Sequence, residues 1–336
     1  MKHNRTSGWI KRGRVLAPLG GTLKQSHAML PTPQVKEETI RVLYASCDAE
    51  LRGRIFAVEL DRKSPMEVLK IQDEPILDLG EAGTFDADGV NPSQLVERDG
   101  AVFLYYIGWK RGTSAVPYTL FGGLAVSEDG GSKFRRTSEQ PILPPVAGEG
   151  YFRTASYVYP TPGGWGMLYI AGETFFDGAS GKRLPLYSLY RTFSKDGIAW
   201  QRGEELLAPD VAAGEIGFGR PRLWHDEDGE PSLILSVRRE AGYTLTASTN
   251  PTWPRSGMRW REILPRSASG WDSDMVCFGA PCVVGPWEYL FYNGNQFGGT
   301  GFGLARRPSV VPRSSRLDLF VETMKDGPGE LLGSCN

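Results

Sequence analysis

A unit of roughly 55 to 67 residues recurs along this chain, each copy with the same order of parts. It begins with a small-residue or acidic approach to a strand: Phe85–Pro92 (FDADGVNP), Tyr151–Tyr157 (YFRTASY), Glu215–Leu223 (EIGFGRPRL) and Trp271–Phe278 (WDSDMVCF). An aromatic- or branched-rich strand follows, as in Val102–Ile107 (VFLYYI), Gly166–Ile170 (GMLYI), Ser232–Val237 (SLILSV) and Glu288–Tyr292 (EYLFY). A third strand ends in small residues: Gly122–Ser127, Leu189–Ser194, Tyr243–Ser248 and Gly301–Ala305. Then comes a turn with an aromatic: Asp129-Gly130 with Phe134, Asp196-Gly197 with Trp200, and Asn250 with Trp260. An apolar pair beside proline closes the unit at Ile142-Leu143, Leu206-Leu207 and Ile263-Leu264, and Ile76-Leu77 closes an earlier one.

This period accommodates a four-stranded antiparallel blade with its loops. Counting units gives five, the first from about Lys24 to Leu79 and the fifth starting near Gly270. The fifth lacks its closing strand. Trp9–Pro18 (WIKRGRVLAP) resembles the closing strand Trp200–Pro209 (WQRGEELLAP), so the N-terminal strand is expected to complete the last blade. The fold class expected is therefore all-β: a five-bladed β-propeller whose closed ring removes the exposed edges of an open sheet. Residues 1–307 form this single domain, and 308–336 read as a proline-, serine- and charge-rich tail.

Composition suits many short strands and tight turns, with 42 glycines and 24 prolines. Lys and Arg number 38 against 39 Asp and Glu, which gives no basic footprint for nucleic acid or an anionic membrane. The basic N-terminus has no apolar core of a secretory signal, and no run of about 18 apolar residues occurs. Cys47, Cys277, Cys282 and Cys335 form no C-x-x-C pair and only three histidines are present, so no metal and no cofactor are expected. Isolated thiols fit a reducing cytoplasm.

The innermost strand of each blade lines a propeller's channel, so the start of each unit is where chemistry is expected. The first unit offers Ser26-His27-Ala28-Met29, the second Asp86-Ala87-Asp88-Gly89-Val90-Asn91-Pro92, the third Arg153-Thr154, the fourth Glu215 and Arg220, the fifth Trp271-Asp272-Ser273-Asp274. Strand ends add Tyr106, Trp109, Glu173, Arg238 and Asn293. Two facing carboxylates of unequal pKa supply a general acid and a general base. Asp88 is the central candidate, with Asp274 or Glu215 as partner and His27 as a further catalytic candidate. The tryptophans offer stacking faces for a sugar, and the arginines a bidentate grip on a carboxylate or phosphate. Asp86 reads equally as a turn cap before Gly89, His27 as a satisfied core histidine, and Arg153 and Arg220 as structural ion-pair members. Asp129-Gly130 and Asp196-Gly197 read as hairpin turns.

The stretch FDADGVNPSQLVERDGAVFLYYIGW, followed by GGLAVSEDGGSKFRR and PIL, resembles the five-bladed propeller glycosidases of glycoside hydrolase families 32, 43, 68 and 130. The similarity spreads from about Trp9 to Arg307. In families 32, 43 and 68 the resemblance implies an Asp on the first blade, an Asp on the second and a Glu further on. Asp88, with Asp86 beside it, matches the second; the first blade has no acid, and Arg153 stands on the third. Glu173, Glu215, Asp272 and Asp274 are the remaining acids. Three functions follow as expectations. The first is an enzyme that cleaves or transfers a glycosyl group of an oligosaccharide or small, anionic substrate. The second is a biosynthetic enzyme using the same funnel for elimination, cyclisation or group transfer. The third is a non-catalytic sugar-binding propeller.

Overall fold

The computed structural model describes residues 7–248 and 260–310; the Asn250 turn signal and most of the expected tail lie outside them. Among the described residues the fold is all-β. Helical structure is confined to the single turns Val211–Ala213 and Asn295–Gly298, and no helix is long and apolar enough to cross a membrane.

Antiparallel ladders join the strands in fours. The N-terminal strand is β1 (Ile10–Leu16). The first run is β2 (Ser26–Val35), β3 (Thr39–Cys47), β4 (Gly53–Asp61) and β5 (Val68–Ile71). The second is β6 (Gly89–Arg98), β7 (Ala101–Arg111), β8 (Tyr118–Ser127) and β9 (Arg135–Arg136). The third is β10 (Phe152–Thr161), β11 (Gly164–Asp177), β12 (Arg183–Ser194) and β13 (Glu204–Leu207). The fourth is β14 (Gly217–His225), β15 (Pro231–Arg239), β16 (Gly242–Ser248) and β17 (Trp260–Glu262). In the last, β18 (Cys277–Val284), β19 (Trp287–Asn293) and β20 (Phe302–Pro308) are followed by β1, which pairs antiparallel with β20. Short parallel contacts such as Gly53 with Gly89 and Tyr187 with Gly217 link successive runs. Neither hydrogen-bonded sheet closes on itself.

Local sequence explains the turns. In the β8–β9 connection Ser127 Oγ accepts from Gly131 N at 2.9 Å, Asp129 Oδ1 accepts from Ser132 N at 2.9 Å, and Gly130 takes φ 73°. Asp196 and Gly197 repeat the device after β12: Asp196 Oδ1 accepts from Ile198 N at 2.8 Å and Gly197 has φ 74°. These positions are turns, because a short acceptor side chain satisfies the backbone donors and glycine alone takes the positive φ freely. The apolar second strands, among them Leu104 to Tyr106 and Leu233 to Leu235, are buried on both faces between neighbouring runs.

One buried ionic network ties the fourth run to the last. Glu288 on β19 is fully buried and accepts from His225 Nε2 at 2.7 Å, Trp224 Nε1 at 3.0 Å, Arg307 Nε at 2.8 Å and Val310 N at 3.0 Å. Arg307 lies 4.6 Å from the Trp9 ring, which brings the segment before β1 into the same cluster. Burial pushes the Glu288 carboxyl up, but the bonds from His225, Val310 and Trp224 and the charge of Arg307 outweigh it and hold the pKa at about 2.

Replacing Glu288 by Gln leaves Arg307 buried without its carboxylate, and a loss of about 3–5 kcal/mol is expected in urea unfolding at pH 7. The folded pKa lies below the unfolded value of about 4.3, so the stabilisation is whole above that value. It is lost as pH falls towards 2, and the gap between wild type and variant is expected to narrow over that window.

Candidate functional site

The first strands of the runs converge on one cavity of about 330 Å³. Met29 and Leu30 come from β2, Asn91 from β6, Thr154 and Ala155 from β10, Gly219 and Arg220 from β14, and Phe278 from β18. Thr154, Ala155 and Arg220 are buried at its closed end, while Leu51 (61% exposed) and Phe297 (40%) stand at its mouth.

A backbone irregularity aims these side chains. Leu30, Ala155, Arg220 and Phe278 all take left-handed φ values between 50° and 57°. Each sits where its strand carries one more residue than the strand paired with it, so each is a β-bulge. In β6 the register slips between Pro92 and Gln94, around the buried Ser93. A bulge bends the strand and re-aims a side chain, here at a cost of about 1–2 kcal/mol for each left-handed residue.

The wall is aromatic. Trp109 stacks on Tyr118 with centroids 6.0 Å apart, Phe278 packs on Tyr243 at 5.0 Å, and Phe297 meets Tyr243 edge-on at 5.9 Å. The Tyr187 and Tyr243 hydroxyls share a hydrogen bond, and Arg238 Nη1 donates to Tyr187 at 3.1 Å. Burial, then the neighbouring Tyr187, raises the Tyr243 pKa well above its ordinary value, so this phenol keeps its proton.

Three charged side chains, one acidic and two basic, stand among these aromatics: Asp88, Arg220 and Arg238. Asp88 is half-buried; its Oδ2 accepts from Arg111 N at 3.0 Å, and among the described residues no side-chain cation pairs with it. Among the described residues it is the one carboxylate that borders the cavity, and no cluster of three His, Cys, Asp or Glu is placed to hold a metal ion.

Of the side chains expected to line a funnel, the structure brings Asp88, Trp109, Arg220 and Arg238 to this cavity. The other acids are placed elsewhere, and three strand-start positions share one structural role. Asp86 is buried and accepts from Tyr106 at 2.9 Å, Arg136 Nε at 2.7 Å and Thr84 at 2.8 Å. Asp272 is buried and accepts from Tyr292 at 3.1 Å and Lys11 at 2.6 Å. Glu149, unremarked in the sequence, accepts from Tyr169 at 2.8 Å and Arg153 Nε at 2.7 Å. In each case the acid stands 20 residues before a second-strand tyrosine and is capped by a cation. Asp86, Asp272, Tyr106 and Arg153 are therefore held in these brackets rather than turned to a ligand, because a buried carboxylate is retained only when its acceptors are satisfied.

The remaining candidates also lie away from the cavity lining. Glu215 accepts from Asp210 N at 3.2 Å and from Arg239 at 3.3 Å. Glu173 is exposed and accepts from Gly148 N at 2.9 Å, and Asp274 is exposed beside Ser273. His27 Nδ1 lies 2.9 Å from Ser26 Oγ, and burial lowers its pKa. Trp271 packs on Tyr292 at 5.2 Å. Asn293 pins β2 by accepting from Leu30 N at 2.7 Å and donating to Ala28 O at 2.9 Å. Asn91 and Thr154 belong to the strand starts that the sequence offers, whereas Tyr118, Tyr187 and Tyr243 are not among the expected residues. The alternation of a strand offered a signal for Thr154, since it and Arg153 face opposite sides; nothing local marks the tyrosines, which come from third strands.

No protein-family model matches the chain. An uncharacterized protein of Mycobacterium tuberculosis is 29% identical over 306 residues, covering 88% of this chain and 98% of that protein. Among solved structures, a glycosyl hydrolase from Bacteroides ovatus superposes with TM-score 0.65 at 13% identity, over 92% of this chain and 97% of that one. A thermostable family-43 glycoside hydrolase gives TM-score 0.60 at 12% identity, over 85% and 89%. A structure described as belonging to the GH130 family of mannoside phosphorylases, which contains glycoside hydrolases that target β-1,2 mannosidic linkages in Candida mannan, gives 0.63 at 14%, over 93% and 97%. The chain thus has the fold of the glycosidase-like propellers.

The two neighbouring aspartates separate cleanly by role. Asp86→Ala is expected to cost about 1.5–3 kcal/mol in chemical denaturation, since it strands Tyr106 and Arg136. Asp88→Ala, which removes one exposed backbone contact, is expected to stay within about 0.5 kcal/mol of wild type.

Proposed function

We propose that the chain is a five-bladed propeller closed by β1, with residues 1–307 as its domain and 308–336 as a tail, and that its cavity cleaves or transfers a glycosyl group. One observation carries the reading: among the described residues Asp88 is a carboxylate without a cationic side-chain partner, at a cavity walled by Trp109, Tyr118 and Tyr243. Aromatic faces suit the apolar side of a sugar ring, and a carboxyl group at their edge suits proton transfer to a glycosidic oxygen. The glycoside-processing neighbours of the same fold support this reading.

In the proposed step the Asp88 carboxyl gives its proton to the leaving oxygen as the bond between that oxygen and the anomeric carbon breaks. A nucleophile arriving on the opposite face forms the new bond to that carbon. A hydrolase working with two carboxylates needs a second one about 5–9.5 Å from the first. Asp274 and Glu215, the partners suggested by the sequence, do not border the cavity. A nucleophile that is itself an oxyanion needs no such base: hydrogen phosphate attacks, the sugar leaves as its 1-phosphate, and the phosphate proton restores Asp88. The same shortage of carboxylates favours a second reading, a sugar-binding propeller without turnover.

The test is a panel of aryl glycosides and oligosaccharides, each with and without phosphate, followed by NMR. Turnover is expected to fall by about 10²–10⁴ in Asp88→Asn. Unchanged turnover in that variant refutes the role of Asp88, and binding without turnover across the panel supports the second reading.

A further inference from the structure

The cavity carries more positive charge than the fold consumes. Arg220 is 2% exposed, yet among the described residues no carboxylate pairs with it. Its Nη1 donates to Phe278 O at 3.0 Å, its Nη2 to Thr32 Oγ1 at 2.5 Å, and its Nε has no partner. Arg222, two residues on and also buried, donates to the carbonyls of Pro221 and Ser93 and lies 5.2 Å from the Tyr157 ring, again with no carboxylate partner among the described residues. Arg238 bonds a tyrosine hydroxyl. Arg222 stands behind Arg220 rather than on the lining, so among the described residues the cavity sets only Asp88 against the guanidinium groups of Arg220 and Arg238.

This is unusual on energetic grounds. A buried charge is costly unless it is paired. Other buried arginines of this chain obey that rule: Arg54 pairs with Asp48 at 2.8 Å, Arg153 with Glu149 at 2.7 Å and Arg307 with Glu288 at 2.8 Å. Burial, then the charge of Arg222, lowers the Arg220 pKa well below the usual arginine range, and burial pushes Arg222 down to about 10. Position adds a second argument. The left-handed bulge positions are His27, which does not line the cavity, and Leu30, Ala155, Arg220 and Phe278, which do; of these four lining residues only Arg220 is charged, and it is held at the closed end of the cavity on a strained backbone. On the same lining, Thr154 Oγ1 and Asn91 Oδ1 are also buried without partners among the described residues. A strained and charged residue kept at a cavity floor marks a place where a ligand supplies what the protein omits.

We infer that the floor of the cavity is an oxyanion subsite, in which Arg220, assisted by Thr154, holds a carboxylate or phosphate group of the ligand. The inference rests on reading the cavity as the substrate site, but not on the role of Asp88. A planar carboxylate of an acidic sugar and a tetrahedral phosphate present the same charged oxygens to a guanidinium, so the chemistry is shared between a group borne by the substrate and a free nucleophile. A neutral hexose leaves the charge uncompensated and is rejected.

Isothermal titration of the full chain at fixed ionic strength tests this, with glucuronate, galacturonate, glucose 6-phosphate and inorganic phosphate against glucose and galactose. Binding of one or more anions, at least about 10-fold tighter than the neutral hexoses, is expected. Acidic sugars binding in preference place the oxyanion on the substrate; inorganic phosphate binding in preference places it on the attacking group. Arg220→Met is expected to lose about 10- to 100-fold in anion affinity. Because Arg220 also joins its own β14 to β18, β2 and, through Ser93 O at 3.5 Å, β6, Thr154→Val serves as a second variant, with a smaller loss in anion affinity and none for neutral sugars. Asp88→Asn is expected to retain or strengthen anion binding, so lost turnover with intact anion binding separates the two proposals. Neutral sugars binding as tightly as anions, no binding of any anion, or unchanged affinity in a folded Arg220→Met or Thr154→Val protein overturns the subsite.

Discussion

The bulge near the middle of each first strand is the constraint from which the site follows. One extra residue enters the strand, the ladder slips, and in four of the strands the residue takes a left-handed φ that L-amino acids resist. A regular strand would alternate its side chains evenly and let the neighbouring first strands approach without a gap. The bulges turn Leu30, Ala155, Arg220 and Phe278 to one place and leave a cavity there. The strain is sustained because the flanking ladders and apolar cores hold each strand on both sides.

Two kinds of acid stand at the starts of these strands, and the structure separates them. The acids 20 residues before a second-strand tyrosine are brackets: each fixes a phenol and is neutralised by a cation, Arg136 for Asp86, Arg153 for Glu149 and Lys11 for Asp272. The first run shows the counter-case. Tyr44 occupies the corresponding place on its second strand, Lys24 stands where the acid would be, and the Tyr44 hydroxyl is buried without a partner. Recurrence across units is thus a mark of a stabilising role. Asp88 departs from the bracket, and its freedom from a cation leaves its charge to the cavity.

How much of this was legible in the chain can be argued residue by residue. The Asp129-Gly130 and Asp196-Gly197 turns were readable because their chemistry is local: an acceptor, a glycine and the intervening backbone suffice. The partnership of Trp9–Pro18 with the last strand was readable from its likeness to Trp200–Pro209, and β1 does pair with β20. Asp88, Trp109, Arg220 and Arg238 were chosen from their places at strand starts and ends. Asp272, Glu215 and Asp274 were chosen by the same rule and do not border the cavity. Position along a repeat says which strand a residue begins, and it does not say whether a tyrosine or an arginine from elsewhere has already claimed it.

Hydrophobic alternation, turn chemistry and the repeat period are properties of neighbouring residues, and by themselves they determined the all-β class, the order of strands and the terminal pairing. The partners of the buried charges were decided only in three dimensions. Arg153 meets Glu149 four residues away, whereas Arg220 reaches Thr32 across 188 residues of chain and finds no carboxylate. Whether a charge is spent on the fold or left for a ligand depends on which groups lie within hydrogen-bonding distance after the runs are assembled, and that distance is a property of tertiary packing.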